Sequence, residues 1–385
     1  MLRISSLAHL GAAIGLALSG TAAASLPIPK APAVDARSYI LIDYASGNTL
    51  ADQLPDERVE PASITKVMTV YVAFDQLRTG RVHMDDDVLI SEKAWRQGID
   101  STESRMFISV GQKVKLGDLL RGIIIQSGND AAVAVAEFIG GTESGFAEIM
   151  NHYAAQLGLK GTHYEDASGL PNPQHYTTAR DIAALSRALI RDFPEYYKIF
   201  NEREYTFHNI RQQNRNGLLN RDPSVDGIKT GHTSSAGYCL ATSASRNGMR
   251  LISVVMGAPS IKAREDASAA LINYGFTFYE SAKVKARNAV LATPRVYKGA
   301  APSAQVGVDH DLIVTVGRGD AATLQTATKL DDPLIAPLPA GKRVGELTLT
   351  SNGRVITRTP LVVLKAVPEG NLWTRAVDDI SLWFH

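Results

Sequence analysis

The apolar residues predict several helices in the first two thirds of the chain. A mostly apolar run at residues 67–77 follows Pro61, whose missing N–H costs nothing in a first helical turn, so a helix is predicted to begin there. Two further apolar stretches, residues 116–125 and 131–139, predict helices on either side of a polar turn. Such a turn must satisfy its own hydrogen bonds or present them to a ligand.

Other segments have the pattern of strands and hairpins. Residues 39–44 are rich in β-forming side chains and precede a Ser46-Gly47-Asn48 turn, which predicts a hairpin. Residues 226–242 predict a strand that carries Lys229, and residues 249–256 predict a second strand joined to it near Asn247-Gly248. From about residue 281, short β-rich segments alternate with turn residues, which predicts a small all-β domain.

The C-terminal stretch predicts an amphipathic helix, with two of the three tryptophans of the chain in it. On a helix, one face would carry Trp373, Val377, Ile380 and Phe384, and the opposite face Arg375, Asp378 and Asp379. This arrangement suits a helix lying in a membrane interface, although the segment is short and not basic. The alternative is a helix that packs against its own β domain.

The N-terminal residues have the pattern of a secretory signal. Arg3 precedes a short apolar stretch at residues 10–18, and Ala22-Ala23-Ala24 fits cleavage before Ser25. The alternative is an N-terminal helix kept in the mature protein. We expect an exported protein, and no internal segment is long and apolar enough to cross a membrane.

Composition narrows the possible functions. The chain has 385 residues, enough for two domains, and a formal net charge of +1, which offers no electrostatic case for nucleic acid. Its nine histidines never lie three or four apart, and a single cysteine cannot build a cysteine-type metal site. We therefore expect no metal and no cofactor. His175 lies in a predicted loop and is interpreted as structural or exposed.

Candidate chemistry begins with Ser63 and Lys66, which a helix would place one turn apart on the same face. A serine becomes a good nucleophile when a neighbour takes its proton, and a buried lysine near another cation loses its own proton readily. The free N–H groups of the first helical turn favour a developing negative charge. A Ser-x-x-Lys pair alone is expected about once by chance in a chain of this length.

Two later motifs make that coincidence improbable. Ser127-Gly128-Asn129 occupies the polar turn between the two apolar helices, whereas its copy at residues 46–48 lies in a hairpin and is assigned no chemistry. Lys229-Thr230-Gly231 lies on a predicted strand, where the glycine lets backbone or ligand approach closely. The order Ser-x-x-Lys, Ser-x-Asn, Lys-Thr-Gly is that of penicillin-binding proteins and class A β-lactamases.

The sequence resembles the low-molecular-mass penicillin-binding proteins that act as serine D-alanyl-D-alanine carboxypeptidases, in particular the penicillin-binding protein 5/6 group. The likeness covers nearly all of the mature chain. Beyond the three motifs it includes residues 104–107, 119–122, 126–131, 214–219, 226–237, 360–364 and 368–371.

The resemblance implies an α/β fold and a division into parts. We expect a signal peptide at residues 1–24, then a β-lactamase/transpeptidase-like domain at 25–280, in which helices flank an antiparallel sheet. A β-rich domain at 281–368 and an amphipathic membrane-association helix at 369–385 would follow. The implied location is the periplasm, on the outer face of the inner membrane.

The resemblance also implies a role for each motif residue. Ser63 would be the acyl-ester nucleophile, Lys66 its base, and Ser127 a proton relay toward the leaving D-alanine. Asn129 would hold the lysine or the substrate amide, and Gly231 would lie in the substrate-binding motif with Lys229 and Thr230, which bind the carboxylate side. The backbone N–H groups of Ser63 and His232 would form the oxyanion hole, and Arg215 matches an arginine near the substrate carboxylate. Since Lys66 and Lys229 repel each other, one is encouraged to stay neutral, and the sequence leaves open which.

The implied substrate is the peptidoglycan pentapeptide, and β-lactams would acylate the same serine. No Glu-x-x-Leu-Asn segment of the class A β-lactamases lies between Ser127 and Lys229, and Glu165 and Asp166 have the wrong spacing to replace it. Penicillin is therefore expected to leave slowly. The alternatives are a DD-endopeptidase or transpeptidase with the same residues, or a non-catalytic penicillin-sensing, wall-binding module.

Overall fold

The computed structural model describes residues 27–99 and 103–383. The predicted signal peptide, its cleavage site before Ser25, and Phe384 lie outside the described residues. Ten α-helices lie within them: α1 Lys66–Arg78, α2 Glu92–Arg96, α3 Leu116–Arg121, α4 Asn129–Gly140, α5 Glu143–Gln156, α6 Ala179–Asp192, α7 Pro194–Tyr197, α8 Leu218–Arg221, α9 Ile261–Phe278 and α10 Leu372–Leu382.

Eighteen strands accompany these helices in the described part of the chain. They are β1 Ser38–Asp43, β2 Thr49–Gln53, β3 Asp87–Leu89, β4 Lys113–Lys115, β5 Glu204–Phe207, β6 Ile210–Gln213, β7 Val225–Thr233, β8 Gly237–Arg246, β9 Met249–Ala258, β10 Tyr279–Lys285, β11 Val290–Ala292, β12 Val296–Tyr297, β13 Val306–Gly307, β14 Leu312–Gly317, β15 Leu324–Leu330, β16 Leu334–Ile335, β17 Arg343–Ser351 and β18 Arg354–Val363.

A five-stranded antiparallel sheet in the order β2-β1-β9-β8-β7 forms the centre of the first domain. Successive side chains of a strand point to opposite faces, so Ile40 and Ile42 of β1 pack into the core formed with α1, α4 and α6. Leu41 packs on the other face, with Leu271 and Ile272 of α9. The sheet is therefore covered by helices on both sides, as the family resemblance implied.

The helix that carries the first motif is buried almost all round. Every residue from 66 to 74 is buried, which explains why the apolar run has no polar stripe. The predicted start at Pro61 is confirmed with one difference, because residues Ala62–Thr65 form a 3₁₀ turn before α1 begins. Ser63 therefore lies in a tighter turn than Lys66.

Two predictions about local structure need correction. The helix predicted over 116–125 is α-helical only to Arg121 and continues as one turn of π-helix, the π turn, at Gly122–Gln126. Ser127 ends this turn in the left-handed region, with a φ of +68°. The strand predicted over 226–242 is two strands, because a turn at residues 234–236 separates β7 from β8. The hairpin at Asn247-Gly248 is thus β8–β9, and Lys229 lies one strand further out, on β7.

The hairpin predicted around Ser46-Gly47-Asn48 is confirmed, since β1 and β2 pair on either side of it. The Ser46 hydroxyl donates to the buried carboxylate of Asp43 at 2.8 Å, and Asp43 also accepts from Ser281 and Thr315. This copy of the tripeptide therefore has a structural role where the two domains meet.

The C-terminal part has its own β core. A five-stranded sheet in the order β11-β13-β18-β17-β15 and the β10–β14 pair contribute most of the side chains of this core, among them Leu347, Leu361 and Val314. The β-rich segments expected after residue 281 all contain strands. This part is the predicted small all-β domain.

The terminal helix packs on this β domain through its acidic side. Asp378 is 8% exposed and accepts hydrogen bonds from Arg295 at 3.1 Å and from the Lys298 backbone N–H at 2.5 Å. Trp373 and Ile380, on the other side, are 78% and 65% exposed. The helix therefore does pack on its own β domain, as the alternative interpretation expected, but it does so through its polar face. Its apolar face is exposed to solvent. Among the described residues, no helix has the length and apolar character needed to cross a bilayer.

Candidate active site

One cavity of about 570 Å³ gathers the predicted site residues. It lies where the start of α1, the π turn and strand β7 meet. Seven of the nine predicted site residues line this cavity, namely Ser63, Ser127, Asn129, Arg215, Thr230, Gly231 and His232. The other two, Lys66 and Lys229, are buried.

Lys66 is 1% exposed and has three oxygen partners. Its Nζ lies 3.0 Å from Ser63 Oγ, 2.7 Å from Asn129 Oδ1 and 2.7 Å from the Ser168 carbonyl oxygen. Burial lowers the pKa of Lys66 to about 7, and the carboxylates of Asp166, Glu103 and Asp130 oppose that shift. A substantial fraction of Lys66 is therefore neutral near pH 7.

The three contacts orient the neutral amine. Because an amine has two N–H bonds and one lone pair, donation to Asn129 Oδ1 and to the Ser168 carbonyl leaves the lone pair directed at Ser63 Oγ. This is the geometry that a general base for Ser63 requires, with nucleophile and base in hydrogen-bond contact.

Ser127 follows the π turn and is 3% exposed. Its hydroxyl has no hydrogen-bond partner within the described residues, although it is buried at the cavity wall. A buried hydroxyl without a partner costs free energy unless a ligand satisfies it, so this side chain is suited to contact a substrate group.

Asn129 begins α4, and both ends of its amide are engaged. Its Oδ1 accepts from Lys66, and its Nδ2 donates to Glu103 Oε2 at 2.8 Å. These contacts define the orientation of the amide. Sequence reasoning missed Glu103, which brings a carboxylate to the cavity wall; its only signal was its position beside the matched segment 104–107.

The other wall is strand β7. A Cβ on Gly231 would lie 3.0 Å from the Pro61 carbonyl oxygen and 3.2 Å from the Ile64 backbone nitrogen, so the glycine lets β7 pack directly on the 3₁₀ turn of Ser63. Lys229 is buried beside it and donates to the Thr230 carbonyl at 3.0 Å.

Arg215 and Arg264 bring positive charge to this wall. Burial lowers the pKa of Lys229 well below its usual value, and the nearby charges of Lys66, Arg264 and Arg215 lower it further. An anionic group in the cavity would oppose these effects. The arrangement is therefore suited to bind a carboxylate.

Arg264 is a second residue that sequence reasoning missed. It lies on α9, is buried, lines the cavity and donates from Nη1 to the Gly231 carbonyl at 3.2 Å, while its Nε has no partner within the described residues. A signal existed, because Arg264 shares the buried face of α9 with Ala267, Ser268 and Leu271 at helical spacing. A charged residue in such a stripe marks a functional candidate.

His175, interpreted from the sequence as structural or exposed, is buried. Its Nε2 lies 2.9 Å from Thr65 Oγ1, next to Lys66 in the chain. Among residues 27–99 and 103–383, no three histidine, cysteine or acidic side chains are grouped to hold a metal ion.

Known protein families match both parts of the chain. The model of the peptidase S11, D-alanyl-D-alanine carboxypeptidase, family matches residues 26–260, and that of the penicillin-binding protein 5 C-terminal domain matches residues 279–369. The chain belongs to the D-alanyl-D-alanine carboxypeptidase family. Membership makes it a serine-type carboxypeptidase and hydrolase of the penicillin-binding protein 5/6 type, which confirms the resemblance and the expected enzyme class.

Individual carboxypeptidases are similar over most of their length. The D-alanyl-D-alanine carboxypeptidase DacA of Escherichia coli K12 is 44% identical over 362 residues, covering 93% of this chain and 90% of the relative. DacC of the same organism is 41% identical, covering 97% and 95%. The crystal structure of penicillin-binding protein 5 from Haemophilus influenzae superposes with a TM-score of 0.85 at 43% identity, covering 89% of this chain and all of that one. The fold class expected from the sequence is confirmed.

Proposed function

We propose that this carboxypeptidase removes the terminal D-alanine from peptidoglycan pentapeptides through an acyl-enzyme on Ser63, with water as the final acceptor. The observation that carries the proposal is the contact of Lys66 Nζ with Ser63 Oγ at 3.0 Å, with both amine hydrogens taken by other acceptors. This arrangement supplies a base where the nucleophile needs one.

Acylation would proceed in two stages. Ser63 Oγ attacks the carbonyl carbon of the penultimate D-alanine while its proton passes to Lys66, and the N–H groups of Ser63 and His232 stabilise the oxyanion. The C–N bond then breaks, and the leaving amine receives, through Ser127, the proton that Lys66 took from Ser63. Each oxyanion donor in such a site contributes about 3–4 kcal/mol to the transition state.

The substrate carboxylate would bind at the β7 wall. Thr230, Arg215 and Arg264 line this end of the cavity, and Lys229 is buried directly behind it. A bound carboxylate raises the pKa of Lys229 because it favours the ammonium form. Substrate binding would therefore charge Lys229 while Lys66 stays available as the base.

Product analysis tests the proposal. With a purified pentapeptide, the enzyme is expected to release free D-alanine and tetrapeptide in equal amounts. Cross-linked dimers as the main product would make it a transpeptidase, and cleavage of dimers an endopeptidase. If the protein forms no product from any of these substrates, the result would favour a non-catalytic wall-binding module.

We expect penicillin to acylate Ser63 rapidly and to leave slowly. The Glu103 carboxylate at the cavity is hydrogen-bonded to Asn129, and Asp166 is held by His175 and by backbone N–H groups. Both carboxylates are thus engaged within the described residues, and Asp166 does not line the cavity, so deacylation would proceed without a dedicated carboxylate base, a group worth about 10²–10⁴ in rate. Mass spectrometry over time should show a persistent adduct, and rapid penicillin turnover would contradict the prediction.

The site of action would be the periplasm, at the outer face of the inner membrane, after removal of a signal peptide at residues 1–24. The support for membrane association is α10, whose exposed apolar face is held outward by Asp378 and by the Lys298–Asp379 ion pair. The domain limits at 25–280, 281–368 and 369–385 belong to the same proposal.

Replacing Trp373 and Ile380, two exposed side chains of the apolar face, by serine should release the protein from vesicles. Burial of each apolar side chain in the membrane interface contributes about 1.5–3 kcal/mol to the free energy of binding. The membrane–water partition coefficient of the double variant is therefore expected to fall at least about 100-fold. Vesicle sedimentation measures this. Val355→Ser, at an exposed apolar position on β18, is the control. Unchanged sedimentation of the double variant, or of a chain cut before Gly370, would contradict membrane association through α10.

A further inference from the structure

The third partner of Lys66 comes from a loop outside the three motifs. Residues 165–171 run along the start of α1, where the Ser168 carbonyl accepts from Lys66 at 2.7 Å and the Ala167 carbonyl accepts from Thr69 Oγ1 at 2.7 Å. A Cβ on Gly169 would lie 1.8 Å from the Ala62 carbonyl oxygen. The loop therefore lies in direct contact with the turn that carries the nucleophile.

The carboxylate of Asp166 shapes this loop from within. Its Oδ1 accepts from the backbone N–H of Ser168 at 2.7 Å, from the Ser168 hydroxyl at 3.0 Å and from the Gly169 N–H at 2.6 Å. Burial opposes its ionisation, but His175 and these N–H groups lower the pKa of Asp166 to about 2. The carboxylate is thus ionised in the working range and holds the peptide whose carbonyl contacts Lys66.

His175 joins that carboxylate to the 3₁₀ turn that precedes α1. Its side chain is 1% exposed, with Nδ1 3.2 Å from Asp166 Oδ2 and Nε2 2.9 Å from Thr65 Oγ1. The Glu165 N–H lies 3.3 Å from the same Nδ1, but the closer and charged Asp166 favours a proton on Nδ1. With this assigned tautomer, the Thr65 hydroxyl donates to Nε2, and Thr65 directly precedes Lys66.

We propose that Asp166 and His175 are positioning residues for acylation, which hold the Ser168 carbonyl at Lys66 so that the amine lone pair faces Ser63. Neither is among the residues that line the cavity, so they act through Lys66 and not on the substrate. The inference rests on the proposed acylation of Ser63. A displacement of about 1 Å in such a contact costs about 10²-fold in rate.

Asp166 also acts on Lys66 by its charge. The charged groups that face Lys66 are Asp166, Glu103 and Asp130, which favour the ammonium form, and Lys229, which disfavours it. Removing the Asp166 charge should therefore lower the pH at which Lys66 becomes neutral. A residue with a merely structural role would not move this pH.

The test measures the rate constant of acylation by a fluorescent penicillin, from pH 5 to 9, in Asp166→Asn, His175→Ala and Thr65→Val. Asp181→Asn is the matched control, since Asp181 is also a buried carboxylate that accepts one backbone N–H and one hydroxyl, at Gly161 and Thr162, and it is not among the groups that shift the Lys66 pKa. Melting temperatures confirm that each variant is folded.

Asp166→Asn and His175→Ala are expected to lower the acylation rate constant about 10- to 100-fold, with little change in the dissociation constant for penicillin. In Asp166→Asn, the plot of acylation rate constant against pH should keep its rise on the acid side, but that rise should occur at lower pH. Thr65→Val, the mildest change, should lower the rate severalfold and keeps the test decisive if the other two do not fold.

Folded variants that acylate at the wild-type rate with an unshifted acid limb would overturn the proposal. An equal loss in Asp181→Asn would also overturn it, because the effect would then be general destabilisation of the loop. Labelling that persists in Ser63→Ala would instead contradict the proposed function, so the two failures can be told apart.

Discussion

Replacing Ser63 by alanine is expected to abolish D-alanine release from a pentapeptide and covalent labelling by penicillin. The change removes the hydroxyl that would form the ester and leaves Lys66 and the proposed oxyanion donors in place. Loss of a serine nucleophile that acts as a unit with its base typically costs at least about 10⁴-fold in kcat. D-alanine release and mass spectrometry after incubation with a β-lactam measure the two effects.

Ser46→Ala is a suitable control for this variant. Ser46 begins the same tripeptide as Ser127, but its hydroxyl binds Asp43 at the domain junction, so this change should leave activity intact. Appreciable D-alanine release by folded Ser63→Ala, or an adduct at another side chain, would contradict the assignment of Ser63.

Replacing Lys66 by methionine should have the second largest effect. Methionine has a similar length but no proton acceptor, so kcat/KM for D-alanine release is expected to fall about 10²–10⁴-fold. Lys66→Arg should fail equally, because a guanidinium stays charged. Lys198→Met, at an exposed lysine, is the control and should retain activity.

The pH dependence of the wild type follows from the same residue. Burial lowers the pKa of Lys66 to about 7, and only the neutral amine can take the Ser63 proton. Activity is therefore expected to be low below pH 7, where Lys66 is an ammonium, and to rise as pH increases through about 7. A profile that is flat from pH 5 to 9, or one whose acid limb persists in Lys66→Met, would rule out this role for Lys66.

The sequence could predict the elements that local patterns define. The apolar run of α1, the turn before Asn129 and the β-rich segments after residue 281 all have short-range signals, and the structure confirms them. The predicted single strand over 226–242 was wrong because a short polar turn within an apolar pattern changes the topology but hardly changes the pattern. The left-handed Ser127 was not predictable, since serine has no general preference for that conformation.

The contacts around Lys66 come from residues far apart in the chain. Asn129 lies 63 positions and Ser168 102 positions from Lys66, and no periodicity connects them. Glu103, which accepts a hydrogen bond from Asn129, and Arg264 on α9 likewise line the cavity although they lie far from the motifs they adjoin in space. Such contacts depend on how the elements pack, and a motif search does not register them.

By itself, the sequence determined which chemistry is available, because three motifs in a fixed order supply two hydroxyl groups, an amine and a strand that carries a second lysine. The tertiary structure alone decided the protonation and direction of that amine. Burial removes water from Lys66 and lowers its pKa, and two oxygen atoms from distant segments take its hydrogens. The exclusion of solvent from Lys66 and the direction of its lone pair both depend on how distant segments pack together. Local sequence patterns carry no information about that packing.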